Sequence, residues 1–466
     1  MIKLPEDLMP EYIVGNVIDV LKKMPENSIN CVVTSPPYWG LRDYGIPPVI
    51  WGGKPRCKHE FTEEVKKGKT GGECKLEGAG KQMTEARYLE DTEHGFCKKC
   101  GAWRGQLGLE PTPQLYIDHL VMIFNEVKRV LRPDGVLWLN LGDSYAGSGG
   151  IDGVPDDWDS ISTSNRQKYS KKKPNKKTSE IGLKPKDLIG IPWMAAFALR
   201  DRGGWYLRSG VVWEKPNPMP ESVKDRPTNC HEFIFELTKS NKYYYDYIAI
   251  QEDSVDPESF TGRRPRSAGQ MDGVDPDNYK FHGSVQEDGS LTSGQLYPKK
   301  NKRSVWRMTT KPYPEAHFAF FPPELPETCI LAGTPVKTCG ICGEPWKRIL
   351  KKSKVYDHVT TAPGKHKEDS PYSSMIGDGE GTHDIRHGVA TITQTIGWKA
   401  TCEHDDDTGK AIVLDPFAGS GTTLQVAREL CRRSIGIDIG ENYRELALKR
   451  DAFKMPQKDL FSYGQG

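Results

Sequence analysis

Two short runs carry residue types that could do chemistry together: Thr34-Ser35-Pro36-Pro37-Tyr38 near one end of the chain, and Asp415-Pro416-Phe417-Ala418-Gly419-Ser420-Gly421-Thr422-Thr423 near the other. Each follows an apolar stretch that reads as a buried strand, 29–33 and 411–414. Ligands of open α/β sheets bind beyond the carboxyl ends of strands, so the two runs are expected to form one split site.

In the second run, the glycines allow a tight turn and close backbone approach to a ligand, and a helix is expected from 422 to 432. The run is neither a phosphate loop nor GxGxxG, because Thr422 and Thr423 stand where a lysine and hydroxyl pair would be. A second strand, 434–437, ends at Asp438, about twenty residues after the first, where a carboxylate can take ribose hydroxyls. A nucleoside with little negative charge fits, and S-adenosylmethionine meets that description. Asp415, Pro416, Phe417, Gly419, Ser420, Gly421, Thr422 and Asp438 are its candidate contacts.

The first run suits an exocyclic amino nitrogen. Such a nitrogen is a poor nucleophile because its lone pair is delocalised into the base, and two acceptors taking both N–H protons would draw it toward tetrahedral geometry. The Ser35 hydroxyl and the Pro36 carbonyl are those acceptors, with Pro36 and Pro37 stiffening the turn. Tyr38 offers a flat face to a base swung out of its helix. Proximity and orientation do the work, without a covalent intermediate.

With these residues the chain resembles the amino-methyltransferases of DNA, in the permuted beta group whose catalytic motif precedes the cofactor motif. The resemblance extends to Gly15-Asn16 through Pro25, Gly135-Val136-Leu137-Trp138-Leu139-Asn140, Trp213-Glu214-Lys215-Pro216-Asn217, Arg226-Pro227-Thr228 and His231-Glu232-Phe233-Ile234-Phe235. His317-Phe318-Ala319-Phe320-Phe321-Pro322 is similar to the family's element that closes over the cofactor, which adds Phe320 and Phe321 to the cofactor contacts. About half the chain is covered, and the rest reads as insertions. The resemblance implies an α/β, Rossmann-like S-adenosylmethionine-dependent methyltransferase sheet in circularly permuted motif order. It also implies double-stranded DNA as partner and allows a cognate restriction endonuclease.

Serine before the two prolines tends to mark cytosine-N4 enzymes of this family, whereas aspartate or asparagine tends to mark adenine-N6 enzymes, so cytosine N4 is favoured and adenine N6 stays open. Cytosine-C5 chemistry needs a cysteine nucleophile after proline, and the chain has no Pro-Cys pair. Protein-glutamine and RNA methyltransferases with a related loop typically carry Asn-Pro-Pro-Tyr. A different class, a zinc-containing DNA-binding protein without activity, is opposed by intact Ser35, Tyr38, Asp415 and Asp438. His231 reads as a structural histidine, since methyl transfer from a sulfonium needs no strong base.

Eleven cysteines in a chain with no signal-peptide-like stretch argue for metal before disulfides. Cys57 and His59 match Cys97 and Cys100, and Cys339 and Cys342 match Cys402 and His404. Each set offers three thiolates and one imidazole, the ligands of a closed structural zinc site, so two zinc ions are expected. Gly101 and Gly343 follow the CxxC pairs and suit the turn there. Cys74 and His94 are alternative ligands for the first site.

The core is accordingly expected in parts: 1–44 with the Ser35 loop, 114–250, and 411–466 with the cofactor loop. Zinc-binding inserts occupy 45–113 and 333–410, a target-recognition region 251–310 and the cofactor-closing element 311–332. Coarse elements are strands over 12–14, 136–141, 210–213 and 232–237 and helices over 17–23, 115–131 and 192–201, with Arg132-Pro133-Asp134-Gly135 as a turn. Residues 147–186 read as a mobile basic loop and 253–302 as long loops. Net charge is only +2, so a DNA signal has to be local. Lys299, Lys300, Lys302 and Arg303 are better placed for phosphate than the lysines at 171–173 and 176–177. The longest apolar helix candidate, 191–199, is far short of the roughly 18 residues that span a bilayer, and a soluble protein of the cytoplasm, prokaryotic or phage-encoded, is expected.

Overall fold

The computed structural model describes residues 2–40, 46–62, 64–66, 92–146, 182–184, 186–253, 295–296, 299–310, 321–360, 385–450 and 453, with only the backbone considered at 64–66, 92–94, 295–296, 354–360 and 385–391. Outside them lie Phe320, Cys74, the two lysine runs at 171–173 and 176–177, most of the expected basic loop and most of the expected target-recognition region.

From the amino end the chain forms β1 (Glu11–Val14), α1 (Val17–Lys22), β2 (Ile29–Thr34), β3 (Val49–Trp51), β4 (Glu64–Lys66), β5 (Thr92–Phe96), β6 (Trp103–Gly105), α2 (Pro113–Val130) and β7 (Leu131–Leu141). Next come α3 (Ile191–Asp201), β8 (Tyr206–Glu214), β9 (His231–Thr238), β10 (Glu252–Asp253), β11 (Gln295–Leu296), β12 (Lys299–Lys300), β13 (Val305–Arg307) and α4 (Glu324–Gly333). The chain continues with β14 (Lys347–Thr360), β15 (Ile385–Lys399), β16 (Ile412–Asp415), α5 (Thr422–Glu429), β17 (Arg433–Asp438) and α6 (Glu441–Leu448).

Eight of the described strands make one sheet in the order β1-β17-β16-β2-β7-β9-β8-β13. The first five run parallel, β9 is antiparallel to both its neighbours, and β13 is parallel to β8. From β2 the chain passes through α2 to β7 on one side, and from β16 through α5 to β17 on the other. The order therefore reverses between β2 and β16, and a crevice is expected at that point. Every residue of β2 and β16 is buried, as befits parallel strands covered on both faces.

Helix α2 shows how local chemistry places these strands. Thr112 caps it by accepting Leu115 N–H at 3.2 Å, and Pro113 occupies the first turn, where no N–H is needed. Its buried residues, Tyr116, Ile117, Leu120, Ile123, Phe124, Val127 and Val130, follow helical spacing and face the sheet core.

Three expectations change. Arg132–Gly135 is not a turn before the strand, because β7 starts at Leu131 and those residues form a bulge within it: pairing jumps from Ile29↔Leu131 to Cys31↔Val136. A Cβ on Gly135 would sit 2.6 Å from Leu131 Cδ1 and 3.0 Å from Asn30 O, so the bulge needs glycine there. Arg132 Nε donates to Asp134 Oδ1 at 2.9 Å across it. Helix α5 ends at Glu429 rather than 432, because Cys431 takes φ 58° and turns Arg432 N–H back onto Ala427 O at 2.8 Å. Strand β8 begins at Tyr206, four residues earlier than 210, since it pairs with β9 along its whole length with a register shift between Leu207 and Ser209.

The chain divides into two compact units. One comprises Met1–Asp246, Arg303–Thr338 and Thr408–Gly466 and carries the large sheet; β3 to β6 belong to it, and Trp51, Trp103 and Leu107 join its hydrophobic core. The other comprises Tyr247–Lys302 and Cys339–Asp407. In it β14 and β15 form a long antiparallel pair, β11 adds to β15 in parallel, and β10 pairs with β12.

Candidate active site

Strands β2 and β16 lie side by side, with Cys31 opposite Val413 and Val32 opposite Leu414, so the Ser35 and Phe417 loops leave the sheet together at the switch point. Thr34 Oγ1 donates to Asp415 Oδ1 at 2.7 Å, Phe417 N–H to the same oxygen at 3.1 Å, and Thr423 Oγ1 to Oδ2 at 2.7 Å. Asp415 is 1% exposed. Burial raises its carboxyl to about 6, against the pull of the three donors. The expected cofactor contact is thus turned inward, and its carboxylate ties β2, the glycine loop and α5 together.

Asp438 closes the loop from β17. Its Oδ2 accepts Gly419 N–H at 3.0 Å and its Oδ1 accepts Gly440 N–H at 2.9 Å, while Tyr12 OH donates to Gly419 O at 2.7 Å. Burial raises the Asp438 carboxyl, and the N–H groups oppose that rise. Asp438 is half-buried, and each of its oxygens has lone-pair capacity left for hydroxyl donors. Gly419 (φ 49°) and Gly421 (φ 77°) take the left-handed conformation that lets the loop turn.

Ser420 and Thr422 are buried, and Arg450 Nη2 donates to both hydroxyls, at 2.8 and 2.9 Å. Pro416 is buried as well. All three of these expected cofactor contacts are buried within the loop. Phe417 is half-buried and packs against the hydrophobic core, Asp438 is half-buried, and Phe321, also half-buried, precedes α4.

The Ser35 loop is gripped from several strands. Tyr38 OH donates to Glu232 Oε2 at 2.7 Å and accepts from Asn140 Nδ2 at 2.7 Å and from Ser35 Oγ at 3.1 Å. Asn140 Nδ2 also reaches Glu232 Oε2 at 2.9 Å, and Lys215 forms an ion pair with Glu232 Oε1. Burial, then the Glu232 charge, pushes the Tyr38 phenol well above its ordinary value, so it stays protonated. The ring packs on Gly142, where a Cβ would lie 2.6 Å from Tyr38 Cε2. Tyr116 OH donates to Pro37 O at 2.8 Å, and Trp39 Nε1 to Glu110 O at 3.0 Å. The Ser35 loop and the glycine loop therefore stand side by side at the carboxyl ends of β2 and β16.

A sequence profile described as DNA methylase, N6_N4_Mtase, matches residues 29–339 and 343–449. The chain belongs to this DNA methylase family. The Type II methyltransferase M.Cfr9I of Citrobacter freundii is 38% identical over 94% of this chain and 85% of its own length. M.SmaI of Serratia marcescens, also a Type II methyltransferase, is 32% identical over 94% of this chain and 90% of its own. Among solved structures, the cytosine-N4-specific PvuII DNA methyltransferase is similar at 13% identity and a TM-score of 0.42, over 99% of this chain and 94% of that one. The protein is an S-adenosylmethionine-dependent DNA methyltransferase of the permuted amino-methylating group.

In this methyltransferase Asn140, Lys215, Glu232 and Arg450 hold the two loops from outside and Thr34 and Thr423 from their ends, although no local pattern gave any of them a role. Asn140, Lys215 and Glu232 stand within the motifs that carry the family resemblance. Their common signal is a polar residue at the rim of an apolar strand: Asn140 lies near the carboxyl end of β7, Lys215 follows β8, and Glu232 is the second residue of antiparallel β9, all at the same end of these strands. His231 packs edge-on against Phe233 with ring centroids 5.2 Å apart and lines a cleft with Asp143, Tyr145, Asn229 and Glu232.

The two cysteine–histidine sets are each brought together. Cys57, His59, Cys97 and Cys100 present ligand atoms within 4.8 Å of one another, and so do Cys339, Cys342, Cys402 and His404. Gly101 and Gly343 both take φ 73° and return N–H bonds of 2.9 Å to Cys97 O and Cys339 O, so the two CxxC turns have the same build. The His94 side chain lies outside the described atoms.

The basic cluster is partly compensated. Lys299 pairs with Asp253, and Lys302 lies 4.0 Å from Glu252, across the β10–β12 pair. Arg303 falls in the unit that carries the sheet, whereas the three lysines fall in the other. No described helix is long and apolar enough to cross a membrane.

Proposed function

We propose that the protein methylates N4 of cytosine at a specific site in double-stranded DNA, on a base rotated out of the helix. The orientation of Ser35 carries this reading. The only proton of the Tyr38 hydroxyl goes to Glu232, so Ser35 donates its own proton to Tyr38 and keeps its lone pairs free to accept. Ser35 Oγ and the Pro36 carbonyl then accept both N–H protons of the target amino group and draw its lone pair out of conjugation. Bound against Phe417, Gly419, Gly421 and Asp438, with Phe321 beside it, S-adenosylmethionine supplies an electrophilic methyl group. Serine rather than aspartate before Pro36 places cytosine ahead of adenine.

The Type II relatives support a partner restriction endonuclease acting on the same site. Each cysteine–histidine set suits one zinc ion: three sulfurs and one imidazole close together make a tetrahedral structural site without an open position. We place Lys299, Lys300, Lys302 and Arg303 at DNA phosphates and the protein in the cytoplasm with its DNA.

DNA from cells expressing the protein, sequenced with base-modification detection, tests this reading. N4-methylcytosine at one recurring site is expected; N6-methyladenine would overturn the choice of base, and unmodified DNA the activity. Ser35→Ala should abolish the mark while the protein still binds S-adenosylmethionine in calorimetry.

A further inference from the structure

Methyl transfer to an amino group leaves a proton to be disposed of. As the nitrogen–carbon bond forms and the carbon–sulfur bond breaks, the sulfur leaves neutral and the nitrogen carries the positive charge with both its hydrogens. One of those hydrogens has to depart as a proton. A nitrogen so alkylated has lost conjugation with its ring and is a strong acid, so a carboxylate within a hydrogen-bonded chain is a competent acceptor.

Such a chain is present. Ser35 Oγ lies 3.1 Å from Tyr38 OH, and Tyr38 OH lies 2.7 Å from Glu232 Oε2. Each hydroxyl already points its hydrogen toward the next acceptor. Asn140 Nδ2 donates to both Tyr38 OH and Glu232 Oε2, which fixes the two oxygens relative to each other. Lys215 holds the other carboxylate oxygen. Beyond the carboxylate the cleft lined by Asp143, Tyr145 and His231 opens toward solvent and offers the proton an exit.

We propose that Ser35, Tyr38 and Glu232 form a proton relay: the amino nitrogen gives a proton to Ser35 Oγ, Ser35 passes its own to Tyr38, and Tyr38 passes its own to the Glu232 carboxylate. No oxygen changes its net proton count except Glu232, which then releases the proton through the cleft. This rests on Ser35 facing the target amino group, as proposed above. A relay through Tyr38 also accounts for a phenol kept protonated by burial and by the Glu232 charge, since only a protonated phenol can give one proton as it takes another.

The test uses the full-length protein, tritiated S-adenosylmethionine and unmethylated plasmid DNA in single turnover. Glu232→Gln keeps a carbonyl to accept the Tyr38 hydroxyl but takes no proton. It should slow methyl transfer on the order of a hundredfold while S-adenosylmethionine affinity stays within a few-fold. Lys215 pairs with the same carboxylate, and Asp143, Tyr145 and His231 line the cleft beside it. Tyr38→Phe should be slowed to a similar degree, and the double variant no further. Glu232→Asp, which keeps a carboxylate, should recover most of the rate. A Glu232→Gln enzyme within about twofold of wild type, or a Glu232→Asp enzyme as slow as Glu232→Gln, overturns the relay. If Ser35→Ala is inactive in that case, the site reading stands without it; an active Ser35→Ala would overturn both.

Discussion

Thr34 and Asp415 stand 381 positions apart in the chain and share a 2.7 Å hydrogen bond inside the sheet. That bond fixes the spacing of the two loops, because Thr34 precedes Ser35 and Asp415 precedes the glycine loop directly. The carboxyl group is raised by burial to about 6, so the fold holds its proton more tightly than the unfolded chain does. Its contribution to stability is present below about pH 4 and lost as pH rises through about 6. Asp415→Asn removes the titration. The difference in unfolding free energy between wild type and this variant should shift against wild type by up to about 3 kcal/mol from pH 4 to pH 7. Denaturant curves at several pH values check this, and a constant difference would show that the carboxyl group does not titrate there.

Thr34→Val tests the same contact from the other side. It keeps the shape of a β-branched residue in β2 and leaves one carboxylate oxygen with a single donor. A loss of about 1–3 kcal/mol in stability is expected, along with slower methyl transfer from loosened loop spacing. Normal activity in a destabilised protein would confine the bond to folding.

Glu110 and His119 are buried in contact, with Oε1 and Nδ1 2.8 Å apart, and the imidazole lies between the rings of Trp51 and Trp103 at 4.9 and 5.4 Å. Glu110 Oε2 also takes Gly108 N–H at 2.7 Å, and Gly108 lies beneath Tyr38, where a Cβ would come within 3.0 Å of Tyr38 O. Glu110→Leu should leave His119 and the Gly108 N–H unsatisfied, at about 1–3 kcal/mol each, and raise the Michaelis constant for DNA. An unchanged melting temperature would contradict this.

Asp438→Ala should weaken S-adenosylmethionine binding by roughly 1.5–3 kcal/mol, the scale of hydrogen bonds to a charged group. Calorimetry without DNA measures it directly. Normal affinity would move the cofactor away from β17.

Purified protein should contain close to two zinc ions by elemental analysis. Cys339→Ser combined with Cys342→Ser should lower that to one and speed proteolysis between 333 and 410, while S-adenosylmethionine affinity stays within a few-fold. Zinc-free protein with full activity would defeat the structural-metal reading.

The sequence by itself was enough for the two loops, the order of the motifs, the strands feeding them and both cysteine–histidine sets. Those signals are local: a Pro-Pro turn, a glycine loop after an apolar run and a CxxC followed by glycine each need only neighbouring residues to be recognised. Only the tertiary structure decided how the loop side chains are held. Asp415, Ser420 and Thr422 are buried, and Thr34, Thr423 and Arg450 reach them from positions that no local pattern links to them. The grip of Glu232, Asn140 and Lys215 on Tyr38 was likewise hidden, since it depends on antiparallel β9 bringing its amino end to the edge where β7 and β8 finish. Partnership across a sheet depends on strand order and direction, which hydrophobic periodicity does not encode.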